Sequence, residues 1–357
     1  MIRLILTLLL VLAGAPAVAQ TASPEPLPDR LVIAHRGASA ERPEHTRAAY
    51  LLAIEQGADV IEPDLVITRD GVLVVRHENE ISETTDVAER PEFADRRRAA
   101  TIEGRAVTGW FTEDFTLAEL KTLRTRERLP ALRPASAVFG GEEPILTFQE
   151  VLDLAADATR RTGRVIGVAP ELKHPAHFAA LGLPLEQALV EVLRANDLTS
   201  AEAPILVQCF EVGALETLDD SIDTRLLQLI SPVGGPADRP ELSYADMITD
   251  EGLRRVAGYA DAIGVEATLV LPRGADNRLR PPTDLVARAH AAGLKVIAWT
   301  FRPEALFLPE DFRRGDPASP AYASTPGDLA GYAAAAWAAG LDGVFTDLIP
   351  PVVATRP

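Results

Sequence analysis

Short apolar runs alternate with amphipathic stretches along most of the chain. Leu31-Val32-Ile33-Ala34 is an unbroken β-forming run that ends at His35, the pattern of a strand buried on both faces. Thr46 to Gln56 reads as a helix closed by Gly57, because glycine tolerates the left-handed turn that ends a helix. Ala58 to Val66 is the next apolar run, with Glu62 and Asp64 in it. At spacing i, i+2 on a strand, both carboxylates point to one face. Thr68-Arg69-Asp70-Gly71 is a turn signal, and Val72 to His77 follows at once. These few residues cannot supply a parallel crossover, so the second arm runs back as a hairpin. With Asp70 and Gly71 as its loop, pair counting sets His77 level with Asp64, and Glu62 next on the same face.

Residues 78 to 146 break this rhythm and read as an insertion over one end of the fold. Within it, Thr116 to Arg124 has the pattern of one amphipathic helix with Thr116 as N-cap. Regular alternation then resumes. Helices are expected over Phe148 to Arg161, Leu185 to Ala195, Val212 to Leu218, within Thr249 to Tyr259, Pro282 to Ala292 and Gly327 to Ala339. Strands are expected over Val165 to Leu172, Ile205 to Phe210, Arg225 to Ile230, Ala262 to Val265, Lys295 to Thr300 and Asp342 to Asp347. Residues 302 to 327 form a second irregular insertion. With the hairpin arm set aside, eight strands remain, separated by helix-length segments. That is the pattern of a (β/α)8 TIM barrel, a single α/β domain over residues 31–357. A doubly wound open sheet is the alternative, and no G-x-G-x-x-G follows any strand to support its dinucleotide-binding form.

The N-terminus adds a separate element. A short basic start (Met1-Ile2-Arg3) precedes the apolar run Leu4 to Leu12, and Ala17-Val18-Ala19 precedes Gln20. This is the layout of a cleaved signal peptide over residues 1–19, followed by a Pro-rich flexible lead-in over 20–30. The apolar run is too short to span a bilayer comfortably, so no stable membrane insertion is expected after cleavage. Cys209 is the one cysteine, which excludes an intrachain disulfide. An exported chain without disulfides points to the bacterial periplasm or secretion.

Charge narrows the partners. The formal net charge is −17, a surface that repels nucleic acid and anionic lipid. Arg96-Arg97-Arg98 could hold a phosphate, but charge runs are usually solvated surface. An anionic small molecule therefore needs a local exception. The barrel supplies one, since active groups collect at the C-terminal ends of barrel strands. His35, Glu62, Asp64, Glu171, Lys173, Phe210, Trp299 and Asp347 all lie at or near such ends.

Glu62, Asp64 and Glu171 are three hard oxygen ligands with no thiolate partner, a set that suits Ca2+ or Mg2+. His35 and His77 suit general acid–base work. Arg36 and Lys173 supply donors for an anion. His45, His174, His177 and His290 have no such setting and read as surface or capping residues. Together these are the parts of phosphodiester cleavage: base, acid, cation and phosphate-binding arginine. A serine hydrolase lacks its G-x-S-x-G. Glu62 and Asp64 are too close along one strand to flank a glycosidic bond.

The ordered motifs HRG (His35 to Gly37), PEHT (Pro43 to Thr46), EPDL (Glu62 to Leu65), TRDG followed by VVRHEN, and PELK (Pro170 to Lys173) resemble the glycerophosphodiester phosphodiesterases, in their exported long form. The resemblance continues through DFTLAELKTLR, TFQEVL, VQCFE, VIAWTFR and FTD. It implies a barrel of the phospholipase C-like phosphodiesterase type, and hydrolysis of deacylated phospholipids to glycerol 3-phosphate and an alcohol. It also implies one divalent cation, Ca2+ before Mg2+, at Glu62, Asp64 and Glu171. His35 and His77 become the acid–base pair, with His77 protonating the leaving alcohol. Arg36 binds phosphate, Lys173 the substrate or developing charge, and Phe210 and Trp299 line the substrate. The family often has His-Asp where this chain has His77-Glu78, and Pro-Glu-Asn-Thr where it has His45. A phospholipase acting on intact lipid and a non-catalytic binding barrel are the alternatives.

Overall fold

The computed structural model describes residues 24–357. The expected signal peptide lies outside the described residues. No helix among them is long and apolar enough to cross a membrane.

Eight parallel strand positions close into a ring. β1 is Leu31–His35; β2 has two parts, Val60–Glu62 and Asp64–Ile67; β3 likewise, Gly167–Val168 and Glu171–Leu172. β4 is Leu206–Cys209, β5 Arg225–Ile230, β6 Ala262–Glu266, β7 Lys295–Phe301 and β8 Gly343–Thr346. β1 pairs in parallel with β8 on one side and with the first part of β2 on the other. Both parts of β2 pair with the matching parts of β3. β3 then pairs with β4, and the series runs through β5, β6 and β7 back to β8. This is the expected barrel, with helices between the strands. The breaks in β2 and β3 fall at Pro63 and at Ala169-Pro170, where proline removes a ladder donor. Register survives the break, since Asp64 sits beside Glu171.

Ile33, Val60, Ala169, Leu227, Leu229, Ala262, Ile297 and Phe345 fill the barrel interior. A larger shell of buried Leu, Val, Ile and Ala packs the strands against the helices. Within the lead-in, Glu25 and Leu27 touch the barrel. Glu25 pairs with Arg164, its amide bonding the Gly163 carbonyl at 2.8 Å, and Leu27 packs against the interior cluster. The helices start where their caps are. Thr147 accepts from the Glu150 amide while the Glu150 side chain returns to the Thr147 amide, a capping box that satisfies two orphan donors. The helix expected over Thr116 to Arg124 is only Leu117–Leu120, opened by a similar box at Thr116.

The first insertion carries one exposed antiparallel hairpin, Arg98–Ile102 with Arg105–Gly109. The second, at 302–327, holds only short 3-10 turns. Arg96, Arg97 and Arg98 lie at the surface, as expected, with Arg97 exposed and its two neighbours half-buried. Arg96 pairs with Glu119 and Arg98 with Asp114 and Glu113, while the three guanidinium groups lie over Phe93, Phe115, Trp110 and Phe111.

Candidate active site

A cavity of about 820 Å3 opens at the C-terminal ends of the strands, and His35, Arg36, Glu62, His77, Glu171, Lys173, Phe210 and Trp299 all line it. Asp64 lies just behind them, 1% exposed. The strand-end argument thus brings every candidate residue to one place.

β1 delivers His35, and a strained turn follows. Arg36 (φ 58°) and Gly37 (φ 88°) are both left-handed, and a Cβ on Gly37 would lie 2.7 Å from the Ala49 backbone. The turn aims the Arg36 amide at Glu62, 2.8 Å away, and the Arg36 guanidinium at Glu44, 3.0 Å away. β2 places Glu62 and Asp64 on one face. β3 sets Glu171 beside Asp64, and the ligand oxygens of the three lie within 4.8 Å of one another.

The hairpin differs from its expected register by one residue. Leu65 pairs with Val75, Val66 with Val74 and Ile67 with Leu73, so Arg69-Asp70-Gly71 form a three-residue turn, with Gly71 at φ 80°. Arg76 rather than His77 therefore lies opposite Asp64, and its amide bonds the Asp64 carbonyl at 3.0 Å. A slip of one would turn His77 to the wrong face of a regular strand. The strand ends at Val75 instead, and a bend beyond it returns His77 to the cavity. Arg76 is buried and spends its guanidinium on the carbonyls of Val75, Thr84 and Glu44.

Each catalytic candidate imidazole has a carboxylate at Nδ1. His35 bonds Asp347 at 2.6 Å, and His77 bonds Glu78 at 2.5 Å. The His-Glu pair thus occupies the place where a His-Asp pair is usual. Burial and the Arg36 charge push His35 down to about 4, with Asp347 opposing. Burial, Arg36 and Lys173 push His77 down to about 3. Both imidazoles are therefore neutral near pH 7, free to accept a proton.

The carboxylate trio is unequal. Burial, then the nearby Asp64 and Glu171, hold the Glu62 carboxyl well above the usual range. Burial lifts Glu171 to about 8 although Lys173, 2.6 Å away, opposes it. Burial opposes ionisation of Asp64 too, but Lys173, His77, Arg36 and the bond from His45 outweigh it and hold Asp64 well below. Three oxygen donors crowded together and only partly neutralised by side chains fit a hard divalent cation.

His45 is a correction. It is fully buried, with Nε2 2.9 Å from Asp64 and Nδ1 2.9 Å from the Tyr50 hydroxyl, so it orients a candidate ligand rather than capping a surface. His174 also lines the cavity, 2.5 Å from Glu103 at the tip of the insertion hairpin. His177 sits near Asn79 and Glu113. His290 pairs with Asp342 on the outside of the barrel. Phe210 and Trp299 meet edge to face at 5.8 Å, and Lys173 lies 5.9 Å from the Phe210 ring. Gln208, which donates to Glu62 at 3.3 Å, was not singled out, although it lies within the VQCFE motif.

A family model for the glycerophosphoryl diester phosphodiesterases matches residues 35–349. The chain belongs to this family. A glycerophosphodiester phosphodiesterase of Arabidopsis thaliana is 38% identical over 294 residues, covering 79% of this chain and 77% of its own. One from Haemophilus influenzae is 27% identical over 309 residues, covering 80% and 81%. Among solved structures, an Oleispira antarctica phosphodiesterase in complex with the product sn-glycerol-3-phosphate has a TM-score of 0.59 at 22% identity, covering 92% of this chain and 96% of its own. A glycerophosphodiester phosphodiesterase from Agrobacterium tumefaciens has a TM-score of 0.56 at 16% identity, covering 91% and 99%. At these identities the structures speak for the fold alone, and that fold is the expected barrel.

Proposed function

We propose that this family member hydrolyses glycerophosphodiesters, such as glycerophosphocholine or glycerophosphoethanolamine, to sn-glycerol 3-phosphate and an alcohol. The observation that carries this reading is the pair of carboxylate-backed imidazoles, His35 and His77, facing one cavity with Arg36, Lys173 and the carboxylate trio. A binding protein has no use for two such imidazoles. Glu62, Asp64 and Glu171 would hold one divalent cation, Ca2+ in preference to Mg2+, since three protein carboxylates suit the larger ion better than the water-retaining smaller one. When bound, the cation supplies charge stabilisation for the phosphoryl oxygens.

Arg36 grips the phosphodiester with its guanidinium, and Lys173 offsets the charge that grows on it. One imidazole takes the proton of the attacking hydroxyl, either water or the glycerol 2-hydroxyl; in the second case the alcohol leaves from a cyclic phosphate, which water then opens to sn-glycerol 3-phosphate. His77 returns a proton to the leaving alcohol. Phe210 and Trp299 shape the apolar wall against the substrate carbons. The N-terminal signal pattern supports action in the periplasm or outside the cell, where deacylated lipids are small soluble substrates.

Turnover of glycerophosphocholine tests the assignment. His77→Ala should lose at least ~10^3-fold in kcat, at the scale of a lost acid–base group, while melting temperature and cation binding persist. Near-normal turnover in that variant overturns the role of His77. Exhaustive chelation should abolish activity and added Ca2+ restore it; activity that survives chelation removes the cation from the reading. A diacyl phospholipid turned over faster than its deacylated form would move the protein to the phospholipases.

A further inference from the structure

Both carboxylates behind the histidines are themselves held; Arg302, just after β7, lies 3.3 Å from Asp347, and the other holders come from one short piece of the first insertion. Arg128 forks onto Glu78 with bonds of 3.1 and 2.6 Å. The same guanidinium forks onto Glu44 at 2.9 and 2.7 Å, and Glu44 is the carboxylate that holds Arg36. Five residues on, Arg133 donates to Asp347 at 2.5 Å, to Glu304 at 2.6 Å and to the Ser39 carbonyl at 2.8 Å. Ser39 lies in the turn after His35, and its hydroxyl donates to the His35 carbonyl at 2.8 Å. The two arginines are tied together. The amides of Leu132 and Arg133 both bond the Leu129 carbonyl, at 2.9 and 2.8 Å, so Arg128 to Arg133 is one closed turn. Arg133 is 7% exposed.

We propose that this turn is a clamp that sets the orientation of the whole acid–base pair: Arg128 positions His77 and Arg36 through Glu78 and Glu44, and Arg133 positions His35 through Asp347. Neither arginine lines the cavity, so both are positioning residues. A guanidinium suits the task because its planar fork can bind two carboxylates at fixed angles, which a lysine cannot do. An imidazole needs its Nδ1 proton fixed before Nε2 can face the substrate in the right form. The insertion thus becomes part of the catalytic geometry of a barrel whose strands alone deliver the histidines without fixing their rings. The inference rests on the acid–base reading of His35 and His77.

The test uses the full mature protein with glycerophosphocholine. Wild-type turnover, and its loss in His35→Ala and His77→Ala, establishes the acid–base reading first; failure there is a failure of that reading and not of the clamp. Arg128→Ala and Arg133→Ala should then each lower kcat by roughly ten- to a hundredfold, the usual cost of losing an orienting partner, with KM changed far less for Arg133→Ala. Millimolar guanidinium should restore part of the kcat. Asp347→Asn combined with Arg133→Ala should be no slower than Asp347→Asn alone, because residues in one chain of contacts are not additive. If an alanine variant does not fold, Arg128→Lys and Arg133→Lys keep the charge but not the fork, and should show the same kcat loss with a near-native melting temperature. Wild-type kcat in both lysine variants, or a loss in Arg133→Ala that multiplies with that of Asp347→Asn, overturns the clamp.

Discussion

At the scale of single residues, the site is a problem of crowded charge. Burial depresses both imidazoles, with the Arg36 charge adding to both and the Lys173 charge adding to His77, which suits a base but leaves the acid short of its proton. A bound phosphodiester brings negative charge to those two cations and relieves the histidines. The acid limb of kcat/KM, which reports the free enzyme, should therefore fall near pH 4 for His35, well below the ordinary histidine value. The limb of kcat, which reports the substrate complex, should lie at higher pH. Coincident limbs in the two profiles would contradict the charge relief. His45 is the residue that the chain pattern under-read. Nothing in its neighbours in sequence reveals that Tyr50 and Asp64 enclose it, because His45 lies in a turn and Asp64 reaches it from β2. It holds a left-handed backbone, φ 60°, which asparagine also tolerates and branched residues do not. His45→Leu should weaken cation binding about 10–100-fold, as loss of an outer partner does, while His45→Asn should retain most of it. Calorimetric titration with Ca2+ separates the two.

At the scale of elements, hydrophobic runs located nearly every strand and helix, because a parallel barrel strand is buried on both faces and reads as an unbroken apolar stretch. Register was harder. Asp-Gly argues for a two-residue loop, yet Thr68 turns the chain one residue earlier, with its hydroxyl taking the Val72 amide at 3.0 Å. The expected convergence of His77 on the carboxylates is reached by a strand that stops short and bends, not by cross-strand pairing. The turn after β1 is equally constrained. Gly37→Ala would combine a left-handed backbone with a clash against the helix that begins at Arg47. It should cost about 1–3 kcal/mol, seen as a lower melting temperature. The same change should reduce kcat, since the displaced turn carries Arg36. A variant with native stability and activity would mean that the turn relaxes without moving Arg36.

For the whole molecule, the barrel and the place of the insertion were legible from the alternation of elements, and the ion pairs that the insertion makes were not. Arg128 and Arg133 sit in a Pro-rich connection with no periodicity, and their partners Glu44, Glu78, Glu304 and Asp347 are scattered along the chain. Such long-range pairing leaves no local pattern to read. The barrel also bears a cost for its site. Glu62 is 1% exposed beside Asp64 and Glu171, and a buried carboxyl next to like charges opposes folding unless something neutralises it. Glu62→Gln removes one of those charges and keeps a carbonyl oxygen for the Arg36 amide. In metal-free solution at pH 7 this variant should melt above the wild type. Wild-type protein should gain stability when a divalent cation binds the folded trio alone, about 2.7 kcal/mol at a hundredfold excess over Kd, a rise of several degrees for a domain of this size. Glu62→Gln should show little of that gain and little turnover. Thermal melts of both proteins, with chelator and with Ca2+, read the two effects separately. A Glu62→Gln protein that melts below the metal-free wild type would show that the carboxylate's bonds to Arg36 and Gln208 stabilise the barrel more than its charge opposes it. An equal Ca2+ shift in both proteins would place the cation elsewhere than on Glu62.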